Sequence, residues 1–192
     1  YLAGIEYSII RDELPKMLND MMSGSQRISR IVNDLRDFGR QENIELTEHV
    51  DINQLVSTSY RLIEQTVRNY SENISIQYED NLPSFLGSAQ RIEQVIINLI
   101  LNAAQSLTSK DKSIEIRTFM DSTKGQLVLE IKDQGCGIAI ENLKRLEDPF
   151  FTTKRDQGGT GLGLSISSNI VSEHGGQLSF KSELNKGTKV SL

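Results

Sequence analysis

Apolar positions in the first forty residues fall at alternating steps of three and four. Leu14, Met17, Met21, Gly24, Ile28, Ile31, Leu35 and Phe38 form one seam, apolar at every step but Gly24. That is the pattern of a coiled coil or helix bundle. The spacing predicts a helix starting near Asp12 or Glu13, with Pro15 in its first turn. The polar stretch from Gly39 to Glu48 reads as a linker. One amphipathic helix packed on its own domain is the alternative, but the residues beyond the linker form a self-sufficient α/β pattern.

A second unit starts near Val50. Asp51 and Gln54 have capping-box spacing, and a helix runs on through Leu55, Ile63 and Val67. Ile74, Ile76 and Tyr78 alternate as in a strand, and Asn81 to Gly87 reads as a loop. Ser88 is the expected cap of a strongly apolar helix carrying Ile92, Val95, Ile96, Leu99, Ala103 and Leu107. Strands are expected around 114–118 and 127–132, with a turn at Lys124-Gly125 between them. A short helix is expected at Ile140–Leu146. Another should run from about Leu162 to His174 and stop at Gly175-Gly176. Strands at 177–181 and 188–192 would close the chain as a hairpin. There is no internal repeat. Runs of helices and antiparallel strands predict an α+β fold: a two-layer sandwich with a mixed, mostly antiparallel sheet and helices on one face.

Composition narrows the function. The chain has 192 residues, 37% hydrophobic and 24% charged, as in ordinary globular domains. Its net charge of -5 argues against a general nucleic-acid binder, which needs a basic face. It leaves room for a nucleotide site, where backbone amides and a metal can meet the phosphates. A single cysteine, Cys136, forbids an internal disulfide, and two histidines with one cysteine make a poor zinc site. No apolar run approaches the roughly 18 residues of a membrane span, so no membrane contact is expected within this segment. No basic leader with an apolar core is visible. Because the first residue is Tyr1, a further N-terminal part is expected in the natural protein. The expected location is cytoplasmic.

Three motifs carry chemistry. Asp133-Gln134-Gly135-Cys136-Gly137 follows directly on a strand. A carboxylate there can accept from an exocyclic amine, and glycines let backbone approach a flat ring; an ordinary turn is the alternative. Gly158-Gly159-Thr160-Gly161-Leu162-Gly163-Leu164 opens a helix, and a helix N-terminus favours an anion. It is not the dinucleotide pattern, because Ile166 stands where the last glycine would fall. Nor is it a Walker loop, since no Gly-Lys-Ser or Gly-Lys-Thr occurs. Asn98 and Asn102 lie four apart on one helix face, with Gln105 near it. Asparagine is costly to bury without partners, and its carboxamide oxygen suits Mg²⁺.

The order of these motifs, from the asparagine helix to the Asp133 box and the Gly158–Leu164 loop, with Asp148-Pro149-Phe150-Phe151-Thr152-Thr153-Lys154 between those two glycine boxes and Gly187-Thr188 in the last strand, closely resembles the catalytic domain of sensor histidine kinases, of the Bergerat ATP-binding fold. The boxes cover roughly residues 95 to 190. The resemblance implies a catalytic domain over 50–192 that binds ATP and Mg²⁺. Asn102 would hold Mg²⁺, and Asn98 phosphate or metal. Asp133 would bind the adenine amino group in a pocket shaped by Gly135, Gly137 and Ile138 and supported by Thr188. Phe150, Phe151, Thr152, Thr153 and Lys154 would belong to a mobile lid. Gly159, Thr160, Gly161, Leu162, Gly163 and Leu164 would cover the phosphates. Gln105 stands where many relatives carry lysine, which removes a charge contact. Residues 1–42 resemble the second helix of the dimerisation and phosphotransfer hairpin, which implies a homodimer through that helix in the full-length protein. A response-regulator receiver domain is the implied partner.

The acceptor histidine of that family is missing. His49 falls in the linker, and His174 ends a helix beside Gly175, where it helps the helix dipole; both read as structural. The acceptor is expected upstream of Tyr1. Two alternatives remain. ATPases of this fold, of gyrase, chaperone or mismatch-repair type, carry a glutamate one turn before the metal-binding asparagine; Asn98 stands there and is no base. A nucleotide-dead dimerising relic would have lost boxes that are all present here.

Overall fold

The computed structural model describes residues 7–39, 46–154 and 159–192. Helix α1 spans Tyr7–Gly39. It starts earlier than the spacing predicts and carries Pro15 inside it. The hydrogen bond that proline cannot donate falls on the solvent-facing helix, where water can take the freed carbonyl. Leu14, Met17, Met21 and Ile28 of the seam are all half or more exposed. The side chains of Ile31, Leu35 and Phe38, and residues 40–45 of the expected linker, lie outside the described residues.

The rest is a two-layer α+β sandwich. A five-stranded sheet has the order β2-β4-β5-β7-β6, from β2 (Asn73–Tyr78), β4 (Ser113–Asp121), β5 (Gln126–Asp133), β6 (Ser179–Glu183) and β7 (Gly187–Ser191). β2 pairs with β4 in parallel; every other neighbour is antiparallel. Period-2 alternation turns Ile114 and Ile116 of β4 and Leu129 and Ile131 of β5 inward. They meet α2 (Ile52–Arg68), α3 (Ala89–Ser106) and α5 (Gly163–Glu173) through Val56, Val67, Val95, Ile96, Ile100 and Ile170, all buried. The short α4 spans Ile140–Leu143, three residues less than predicted. In the last hairpin the first strand lies two residues later than predicted and the second one residue earlier, because the turn takes only residues 184–186.

Two expectations are corrected at the start of α3. The loop over Asn81–Gly87 ends in a strand, β3 (Phe85–Gly87), which pairs with β1 (Glu48–Val50). His49 is therefore on a strand, opposite Leu86, rather than in a linker. Ser88 occupies the N-cap of α3, but its side chain makes no capping bond. Glu48 of β1 does that work, its carboxylate accepting from Ala89 N at 3.0 Å, where negative charge suits the helix end. By contrast, the Asp51 carboxylate does accept from Gln54 N at 3.0 Å.

His174 is also more than a dipole partner. Its Nδ1 lies 2.7 Å from Ile170 O, and its Nε2 accepts from Ser88 N at 2.9 Å. The imidazole thus bridges the end of α5 to the start of α3 as a neutral ring protonated on Nδ1. Gly87 is needed against it: a Cβ there would sit 2.7 Å from His174 Cδ2.

Candidate nucleotide-binding site

The site lies where the C-terminal half of α3 meets the end of β5, the start of β7 and the N-terminus of α5. Asp133, the last residue of β5, is buried. Its Oδ1 accepts three hydrogen bonds: from Ser106 Oγ at 2.9 Å, Gly135 N at 2.7 Å and Thr188 N at 3.3 Å. None of these goes to Oδ2. Burial pushes the carboxyl above its ordinary value, opposed by those bonds and by the Lys154 charge. Gly135 packs so closely on Ser106 that a Cβ would overlap the hydroxyl. Gly137, at φ +67, packs in the same way on the Glu183 carbonyl. Ile138 N donates to Ser182 Oγ at 2.8 Å.

On α3, Asn98 Nδ2 donates to Ser167 Oγ of α5 at 2.8 Å, and Asn102 Nδ2 lies 3.4 Å from Asn98 Oδ1. Both asparagines are partly buried, whereas Gln105 is exposed. A Cβ on Gly163, the first residue of α5, would lie 2.6 Å from Asn98 Oδ1. The glycine brings the positive end of α5 against the asparagine pair. The donors and the helix end together suit an anion with a hard cation beside it.

The connecting loop is pinned at both ends. Phe150 N donates to Gly161 O at 2.9 Å. Both residues have positive φ, +66 and +72, a strained state for phenylalanine. Arg145 stacks over the Phe151 ring at 4.4 Å. Thr152 Oγ1 accepts from Lys154 N, and Thr160 Oγ1 from Leu162 N. Thr153 is exposed, and Leu162 and Leu164 pack with the core. The Lys154 ammonium reaches back to 3.4 Å from Asn102 O. Burial lowers its pKa, offset in part by Cys136 and Asp133. Residues 155–158, between Lys154 and Gly159, lie outside the described residues.

Residues 87–192 match the family described as histidine kinase-, DNA gyrase B- and HSP90-like ATPases. The chain belongs to that family. Within it, the similar proteins are sensor histidine kinases. A putative sensor protein of Shewanella frigidimarina is 38% identical over 100% of this chain and 28% of its own length. The sensor histidine kinase ZraS of Escherichia coli is 32% identical over 94% of this chain and 37% of its own length. The chain thus spans about a third of these relatives. Among solved structures, the catalytic domain of the histidine kinase ThkA is 28% identical with a TM-score of 0.63, covering 75% of this chain and 93% of that one. ThkA has also been solved in complex with a response regulator, TrrA (TM-score 0.74, 23% identity, 93% of this chain and 50% of that one).

Three serines of the kinase domain escaped the sequence reading. Ser106 continues the Asn98, Asn102 step of four along α3, so it shares their face better than Gln105 does. Ser182 is on the inward side of β6 with Phe180, where a polar residue needs a partner. Ser167 is buried on α5 and had no motif to mark it.

Proposed function

We propose that this domain binds ATP with Mg²⁺ and presents the γ-phosphoryl group to a histidine outside this chain, for relay to an aspartate of a response regulator. Asp133 carries the reading. Its Oδ1 is occupied by three donors, so Oδ2 is the acceptor for an adenine amino group. Gly135, Gly137 and Ile138 would line the ring, and Thr188 would support it. The α5 N-terminus with Gly159–Leu164 would meet the phosphates, and Phe150–Lys154 would close over them.

The asparagine pair fits Mg²⁺. With Asn102 Nδ2 directed at Asn98, Asn102 Oδ1 is the hard oxygen for the ion, which needs only one or two protein ligands beside phosphates and water. Among the described residues there is no cluster of three or more His, Cys, Asp or Glu able to hold a metal, so the ion is expected to arrive with the nucleotide. Bound, it would offset charge on the transferring group, while the protein supplies position. Asn98 cannot activate water, so hydrolysis should be slow.

Both ring nitrogens of His174 are engaged, and His49 is held in β1, which supports an acceptor elsewhere. The exposed seam of α1 supports pairing with a second copy in the full-length protein. Among the described residues no helix is long and apolar enough to cross a membrane; ATP and a response regulator as partners support a cytoplasmic location. Incubation with γ-labelled ATP should leave this chain unlabelled by acid-labile phosphate assay. Stoichiometric labelling of His49 would overturn the external acceptor.

A further inference from the structure

The two asparagines of α3 are not oriented independently. Asn98 Nδ2 donates to Ser167 Oγ at 2.8 Å, and Asn102 Nδ2 lies 3.4 Å from Asn98 Oδ1. A carboxamide has a donor end and an acceptor end of nearly the same size. Its partners, and not its shape, therefore decide which end points where. Ser167 is only 2% exposed, and a buried polar group keeps to its protein partner. The oxygen of Asn98 lies against the first turn of α5, where a Cβ on Gly163 would come within 2.6 Å of Oδ1. That end of a helix favours negative partial charge. Asn98 is thus held by α5 at both ends of its amide. With Asn98 Oδ1 fixed, Asn102 spends its NH₂ on it and keeps its own oxygen for another partner.

We propose that Ser167 is a positioning residue for the metal ion: through Asn98 it sets which end of the Asn102 carboxamide meets the cation. The inference rests on the Mg²⁺ reading above. Without the Ser167 hydroxyl, Asn98 Nδ2 is a buried donor with no acceptor, a costly state that turning the amide relieves. A turned Asn98 puts its NH₂ against the NH₂ of Asn102. Asn102 must turn in answer, and it then offers N–H donors to the cation. Mg²⁺ takes oxygen ligands in strict octahedral geometry, so the reversal removes a ligand outright. Ser167 does all of this from the buried side of α5, acting only through Asn98.

The experiment is a calorimetric titration of the whole chain with ADP, in Mg²⁺ and in a chelator. The wild type should bind ADP more tightly with the ion. Ser167→Ala should bind Mg²⁺-free ADP much as the wild type does and lose most of that gain, because partners behind a metal ligand are worth roughly 10- to 100-fold in metal affinity. Ser167→Cys fills the space of the hydroxyl with a thiol, a weak acceptor, and should lose the gain as well. Equal losses with and without the ion in Ser167→Ala, or a gain restored by Ser167→Cys, would mean that Ser167 only packs α5 on α3 and would overturn the proposal. An unchanged gain in Ser167→Ala does the same. A wild type that binds ADP equally well in Mg²⁺ and in chelator overturns the metal reading itself, and this inference falls with it.

Discussion

Asp133→Asn should leave the domain folded and weaken adenine-nucleotide binding by roughly 10- to 150-fold, the value of a hydrogen bond to a charged group at about 1.5–3 kcal/mol. The substitution is isosteric. Oδ1 of asparagine can still accept from Ser106, Gly135 and Thr188. The change falls on the other position, where an acceptor becomes an N–H₂ donor facing the donors of adenine. The native carboxyl is pushed above its ordinary value chiefly by burial. A raised carboxyl binds its proton more readily folded than unfolded. Its ionised form therefore weighs against folding at neutral pH, and that penalty fades as pH falls through the raised value. The variant should consequently melt no lower than the wild type at pH 7. ADP affinity of the wild type should fall on the acid side as Asp133 protonates, and that dependence should vanish in Asp133→Asn. Calorimetry across pH, with circular dichroism melts, checks both. An undiminished affinity would sink the adenine assignment.

Gly187→Ala should be among the most damaging single methyls in the site. Gly187 has φ +106, and a Cβ there would overlap the Asp133 carbonyl oxygen and lie 3.0 Å from Gln134 Cα. Strain of this kind costs about 1–3 kcal/mol, and the overlap forces β7 away from β5. That movement carries Thr188 N off Asp133. A loss of roughly 2–4 kcal/mol corresponds to about 5–15 °C in Tm for a domain of this size, accompanied by weak nucleotide binding. Gly125 provides the control. It also has positive φ, +64, but a Cβ there meets nothing within 4 Å. Gly125→Ala should show strain alone, about 1 kcal/mol, with affinity intact. Equal melting shifts for the two variants would show that crowding at Gly187 is unimportant.

Long periodic segments were legible in the sequence. The apolar stripe of α3 and the alternation of β4 and β5 recur often enough to identify themselves, and they fix the two layers. Asp133 was legible because it combines a strand end with flanking glycines. The β1–β3 ribbon was not, since three residues per strand carry no period and its pairing joins Glu48 to Gly87 across the whole of α2. Capping of α3 failed for the same reason: the residue at the cap position was read correctly, but the anion came from a distant strand. Ser182 stayed hidden because its role depends on Ile138, Gly187 and Thr188 meeting in space. Pro15 misled because proline marks a helix start only as a preference.

The most direct test is titration of this chain with a non-hydrolysable ATP analogue, first with Mg²⁺ and then with a chelator. One saturable site per chain, weakened when the ion is removed and lost in Asp133→Asn, is the expected result. No saturable binding at millimolar analogue, from a chain that melts cooperatively, would contradict the account.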